Sequence, residues 1–154
     1  MALQLPQPAS PGPLPAHATA HRRWQTGQLH AEREQWPLAA KRFEQAAALH
    51  GDPAYGLAAA HALIKAGQSD RAARRAHAIR AADPRTAVAY ALESHALLGL
   101  GRAEEAVGCL QAMPADVPRD STHHVSLAVA LQSCQRHEEA IRSFLDALAL
   151  KLDE

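Results

Sequence analysis

Aromatic side chains are scarce. Two Phe, two Trp and two Tyr make up 4% of 154 residues, although hydrophobic residues reach 47%. A core with so few rings has to be filled by alanine and leucine, which suits helices packed closely side by side. Excess charge of one sign is also missing: 16 Lys and Arg balance 16 Asp and Glu, and the isoelectric point is near 7.2. That balance leaves no footprint for nucleic acid or an anionic membrane, so neither is expected as a partner. No apolar stretch approaches the ~18 residues of a membrane-spanning helix. The N-terminus lacks the basic start and apolar run of a secretory signal. The two cysteines, Cys109 and Cys134, stand in no metal or redox spacing and read as small buried residues in a reducing cytoplasm. No Gly-rich phosphate loop, serine–histidine–acid context or paired-carboxylate motif is visible. Neither catalytic residues nor a cofactor is therefore expected. Arginine far outnumbers lysine, and with so much alanine this points to a high-GC bacterial genome.

What is present is a repeat. Ala72, Ala106 and Ala140 stand 34 residues apart, each closing a similar phrase: Gly-Gln-Ser-Asp-Arg-Ala, Gly-Arg-Ala-Glu-Glu-Ala and Gln-Arg-His-Glu-Glu-Ala. Pro84 and Pro118 follow the first two alanines by 12 residues and can close a unit. A fixed period of this length signals stacked helical units that bury one another. Between Pro84 and Pro118, Tyr90, Leu97 and Leu98 form one helical stripe, Gly99 and Gly101 break it, and Val107, Leu110 and Met113 begin a second. The preceding unit opens at Asp52-Pro53, carries Leu57, Leu63 and Ile64, breaks at Gly67, and resumes with Ser69 or Asp70 as a cap. The last unit starts at Asp120-Ser121-Thr122, with Val125, Leu127, Val129 and Leu131 on one helix and Ile141, Phe144 and Leu148 on the next. The first unit is less regular, its Ala39 standing 33 residues before Ala72, and Pro37 fits the first turn of its second helix. Before it, Pro6, Pro8, Pro11, Pro13 and Pro15 crowd a stretch without charge. Proline at alternate positions forbids a continuous helix, so residues 1–19 read as a disordered, solvated tail.

Helix pairs of this period, with alanine and then a large residue four positions on (Ala39/Phe43, Ala106/Leu110, Ala140/Phe144), resemble tetratricopeptide repeats (TPR). Ala46 and Ala147 supply the later small residue, Pro84 and Pro118 the closing proline, and Gly27, Ala60, Ser94 and Ala128 the small residues of first helices. Ala76, Ile79 and Met113 depart from the pattern. The resemblance covers residues 20–152, as repeats at about 20–52, 53–86, 87–120 and 121–154. It implies an all-α fold, a right-handed α-solenoid of about four antiparallel helix pairs.

In proteins of this kind, first helices line a concave groove that holds a partner segment. Mapped here, that face takes His21, Trp24, Gln28 and Glu32 from the first unit and Leu57, His61, Ile64 and Lys65 from the second. The third supplies Val88, Ala91, His95 and Leu98, and the fourth Thr122, Val125, Val129 and Gln132. The groove lacks the lysine, asparagine and arginine set with which chaperone-binding members clamp a terminal carboxylate. A protein or peptide partner with an apolar or amphipathic segment, held by helix-in-groove packing, is expected. Trp24 is either its hot spot or the closure of the array's open end. His61 and His95 project from neighbouring helices whose axes stand roughly 8–10 Å apart, without a third ligand in sequence, so no metal site is expected. Arg71, Arg74, Arg75 and Arg80 read as a solvated basic face, or as a site for phosphate or an acidic partner. Glu104-Glu105 and Glu138-Glu139 suit helix N-termini.

The final helix, with Phe144, Leu145, Leu148, Leu150 and Leu152, lacks a polar cap, so a homo-oligomer or further repeats would cover it. The leading expectation is a cytoplasmic bacterial scaffold, chaperone-like in layout. The alternative is the docking region of a larger enzyme such as a glycosyltransferase that places N-acetylglucosamine on protein serine and threonine. On packing grounds, Ala106→Leu should cost about 1–3 kcal/mol by overpacking and Phe144→Ala about 3–5 kcal/mol by truncation, as read from thermal unfolding.

Overall fold

The computed structural model describes residues 3–10 and 15–153. Among them are eight helices and no strand: α1 (Pro15–Glu32), α2 (Trp36–Leu49), α3 (Pro53–Lys65), α4 (Ser69–Ala82), α5 (Ala87–Gly99), α6 (Ala103–Gln111), α7 (Ser121–Ser133) and α8 (His137–Leu152). Each helix packs on the next in chain order, and α3, α5 and α7 also touch in sequence. The result is an all-α solenoid of paired helices whose first members stand side by side.

One conformation sets every hairpin. Between the members of each pair, a single residue takes the left-handed region: Glu34 (φ 56°), Gly67 (75°), Gly101 (73°) and Gln135 (62°). Three of the four are spaced by the 34-residue period. Glycine carries no Cβ penalty there, and its backbone ends the helix and reverses the chain. Gly99, placed by the sequence among the breakers, is instead the last residue of α5, where a Cβ would stand 2.5 Å from the Ser69 hydroxyl.

Small residues then bring the helices together. Ala39, Ala72 and Ala106 are fully buried and Ala140 is 3% exposed. Gly27 lies so close to the buried Phe43 ring that a Cβ would approach within 2.5 Å of it. Asp52 and Asp120 cap α3 and α7 by accepting from the backbone N–H of Ala54 (2.9 Å) and His123 (2.8 Å). The cap expected from Ser69 or Asp70 does not form: α4 starts at Ser69 after an uncapped Gln68, and Asp70 pairs with Arg74.

The expected solvated arginine face holds at Arg71 and Arg74, whose side chains are exposed, and is corrected at Arg80. Arg71 donates to Glu44 at 2.7 Å, Arg75 stands 3.6 Å from the same carboxylate, and Arg80 binds Glu93 across the α4–α5 boundary. Glu93 is only 6% exposed; His77 stands 3.0 Å from it, and the Arg80 guanidinium also lies over the Tyr90 ring. Burial raises the Glu93 pKa, but the hydrogen bonds from Arg80 and His77 outweigh it and hold the carboxyl below its ordinary range. Arg80 therefore works as a tie between repeats.

Two further expectations change. Phe144 is 40% exposed rather than buried, because α8 packs chiefly on α7 and this ring lies at the margin of the packed face, beside the exposed Leu145, Leu148 and Leu152. The tail of residues 1–19 is only partly solvated where the structure describes it. Pro15 opens α1, a position where its missing N–H is harmless, and the Ala-His-Ala-Thr-Ala that follows contains no helix breaker. Residues 3–10 form no regular element, yet Leu3 and Leu5 are half-buried and Pro8 is buried. The rest of the expected tail, residues 1–2 and 11–14, lies outside the described residues.

With its ring partly in water, Phe144→Ala should cost only about 1–2 kcal/mol. Gln135→Gly, which removes a Cβ from the left-handed position, should raise stability by about 0.5–1 kcal/mol in urea unfolding. A loss of stability would show that the Gln135 side chain holds the turn.

Candidate partner-binding groove

First helices present their exposed stripes to a common side. Between α3, α5 and α7 lies a hollow of about 460 Å³ lined by His61 and Lys65, by Ala91, Ser94, His95 and Leu98, and by Thr122, Val125, Ser126 and Val129. A smaller one of about 210 Å³ adjoins it between α1 and α3, against Trp24, Gln28, Ala31, Ala58 and His61. A third, around the α5 and α7 N-termini, includes Ala87, Val88, Ala91, Thr122 and His123. Trp36 lines the first two. Its ring meets the His61 edge at 5.9 Å and 88°.

The hollow between α3, α5 and α7 is electrostatically quiet. Burial depresses the pKa of both His61 and His95, and the Lys65 cation depresses both further. Both imidazoles are therefore neutral at pH 7, and Lys65 is the charged residue among those lining this hollow. The Ser94 hydroxyl at its wall is buried and has no hydrogen-bond partner. Among the described residues no three His, Cys, Asp or Glu side chains gather in a metal-binding group. The thiols lie elsewhere: burial and the Glu93 charge push Cys109 up to about 12, and both cysteines are free.

Of the residues assigned from sequence, Trp24, Gln28, His61, Lys65, Val88, Ala91, His95, Leu98, Thr122, Val125 and Val129 line this concave side. Five do not line it. Leu57 is buried in the core beneath the groove with Ala60, Ala89 and Leu92. Ile64 is wedged between two core clusters, and His21 sits beside Trp24 with ring centroids 5.4 Å apart. Glu32 and Gln132 are exposed away from the hollows. The sequence reading missed Trp36, because it belongs to a second helix; as the first residue of α2 it still reaches round the turn. It also missed Leu3, which borders all three hollows.

The model of the bacterial transcriptional activator domain matches residues 17–154. The chain belongs to that family. Its fold is that of TPR proteins. It is similar to the crystal structure of TTC0263, a thermophilic TPR protein in Thermus thermophilus, with a TM-score of 0.76 and 22% identity over 85% of this chain and 74% of the other. It is also similar to MamA from Desulfovibrio magneticus RS-1, with a TM-score of 0.73 and 21% identity over 88% and 77%. No curated protein sequence matches it. Among the described residues of this transcriptional activator domain, no helix is long and apolar enough to cross a membrane.

His123, beside the groove at the start of α7, gives the domain a pH signature. It is 7% exposed, and burial, then the neighbouring His124 and Arg119 charges, lower its pKa to about 4. A histidine depressed in the folded state contributes stability that is present above its ordinary pKa near 6.5. That contribution is lost as pH falls towards about 4, and it amounts to roughly 3 kcal/mol. His123→Gln should flatten the fall in unfolding free energy between pH 7 and 4; an unchanged slope would mean that His123 is solvated.

Proposed function

We propose that this domain is a protein-interaction module whose concave side holds an apolar segment of a protein partner. The observation that carries the reading is the hollow between α3, α5 and α7, walled by Ala91, Leu98, Val125 and Val129 and flanked by Trp36. An apolar concavity with a few convergent polar groups is the surface on which a helical array takes up a segment. Two neutral imidazoles and one ammonium favour an uncharged or weakly acidic guest over a polyanion. The convex arginines support the same choice. Arg71, Arg74, Arg75 and Arg80 are engaged with Glu44, Asp70 and Glu93 rather than forming an unpaired basic patch. The family name supplies the setting: a bacterial regulator of transcription in which this array contacts another protein, rather than the docking region of a glycosyltransferase. No side chain is assigned a chemical step. The reading also assigns the exposed row Ile141, Leu145, Leu148 and Leu152 on α8 to contact with a second copy of the chain.

Affinity capture from the native host tests the groove, with His95→Asp and Val125→Asp combined in the comparison chain. A specific partner retained by the parent should be lost by at least tenfold from the variant, with helicity unchanged. Equal retention by both chains would place the binding surface elsewhere. Leu145→Lys should abolish any concentration-dependent mass increase in sedimentation, and a parent that stays monomeric at high concentration would remove the α8 contact.

A further inference from the structure

The groove already has an occupant, and it comes from the same chain. Leu3 and Leu5 pack on the cluster of Leu57, Ala60, Ala89 and Leu92, beside Ile64 and Val88. Leu3 lines the hollow walled by Ala91, Thr122 and Val125, whereas Leu5, Pro6 and Gln7 line the one bounded by Trp24, Gln28, Trp36 and His61. At the far end the backbone N–H of Ala9 donates to Asp52 at 2.9 Å. The other oxygen of that carboxylate caps α3, so the aspartate is held in place by its own helix. Burial alternates over residues 3–6, with Leu3 and Leu5 half-buried and Gln4 and Pro6 exposed, the period of an extended chain, and beyond the exposed Gln7 the ring of Pro8 is buried. Six extended residues span roughly 20 Å, about two spacings between neighbouring first helices. This matches a strap that crosses α3 and α5 and reaches α7.

The composition of the strap fits the place it occupies. Residues 3–10, Leu-Gln-Leu-Pro-Gln-Pro-Ala-Ser, carry no charge, as the hollow requires. Pro6 and Pro8 favour the extended form and lower the entropy lost on docking.

The geometry points to an intramolecular pseudo-ligand. Residues 3–8 occupy the partner site in cis, and a partner gains entry by presenting the same chemistry, an extended uncharged Leu-x-Leu-Pro segment, in their place. This rests on reading the groove as the partner site, and it replaces the expected helical guest by an extended one. Because few residues separate Ser10 from α1, the strap acts at an effective concentration near the millimolar range. A strap of ~100 μM intrinsic affinity would then make any guest bind the parent chain about tenfold more weakly than a chain with an empty groove.

The test uses the full chain and its Leu3→Asp, Leu5→Asp double variant, with a synthetic peptide of residues 1–10 labelled at its C-terminus. The peptide should bind the variant about tenfold more tightly than the parent in fluorescence anisotropy. A peptide with both leucines replaced by aspartate should bind neither. Emission from Trp24 and Trp36 should shift to longer wavelength in the variant and return when the native peptide is added. If helicity falls, Leu3→Ser with Leu5→Ser replaces the acidic pair. Equal affinity for both chains, or for neither, overturns the strap while leaving the groove to be judged by the His95/Val125 capture. A dimeric parent that becomes monomeric in the variant overturns the arrangement in cis, assigning the strap to a second copy. Peptide binding to the variant, together with host capture indifferent to His95 and Val125, would leave the strap standing and sink the partner reading.

Discussion

Close approach of helices at alanine is the constraint on which everything else depends. Ala39, Ala72, Ala106 and Ala140 sit where second helices are clasped by their neighbours, and each is at most 3% exposed. Small contact residues lower the separation between axes, and the low separation lets Leu63, Leu92, Leu110 and Leu131 complete the core with few rings. The left-handed residue at each hairpin turn serves the same end by returning the chain at a fixed register. Where this device uses Gly67 and Gly101 it is nearly free of strain. At Glu34 and Gln135 it bears the strain of a Cβ, and these lie in the outer repeats.

Packing alone would let adjacent repeats slide, and a polar tie restricts them. Glu93, buried on α5, takes Arg80 and His77 from α4, and Tyr90 lies beneath the guanidinium. Removing one partner would strand a buried charge, so the tie penalises a misplaced register more than it adds to stability. Its position on the convex side leaves the hollow between α3, α5 and α7 free of fixed charge apart from Lys65. The division of labour follows: arginines and acids join repeats outside, while alanine, leucine, valine and two neutral histidines face the groove.

That groove explains why the N-terminal segment is seated. An apolar concavity flanked by two tryptophans is costly to leave in water, and an uncharged strand tethered a few residues away is the guest at highest local concentration. Prolines that rule out a helix also prepare the segment for an extended docked form. The features that made residues 3–10 look like a solvated tail are thus the features that fit them to the groove. Disorder and extended docking draw on the same composition, and what separates them is the presence of a complementary surface.

Much of the fold was legible in the chain itself. The 34-residue spacing of Ala72, Ala106 and Ala140, with Gly67 and Gly101 between helices, determined a stacked helical array, because periodicity reports which faces must be buried. The first-helix stripe from Trp24 through His61 and His95 to Val129 was legible for the same reason. Contacts between residues far apart in sequence were not. Whether Phe144 meets a neighbour depends on what lies beyond α8, and whether Leu57 faces the groove or the core depends on the twist between pairs. Trp36 joins the concave side only because a turn carries it round, and the Arg80–Glu93 tie needs two helices at a particular separation. Local sequence sets which residues share a helical face. Only the stacking of one pair on the next decides what that face meets, since burial and pairing are properties of the surface opposite.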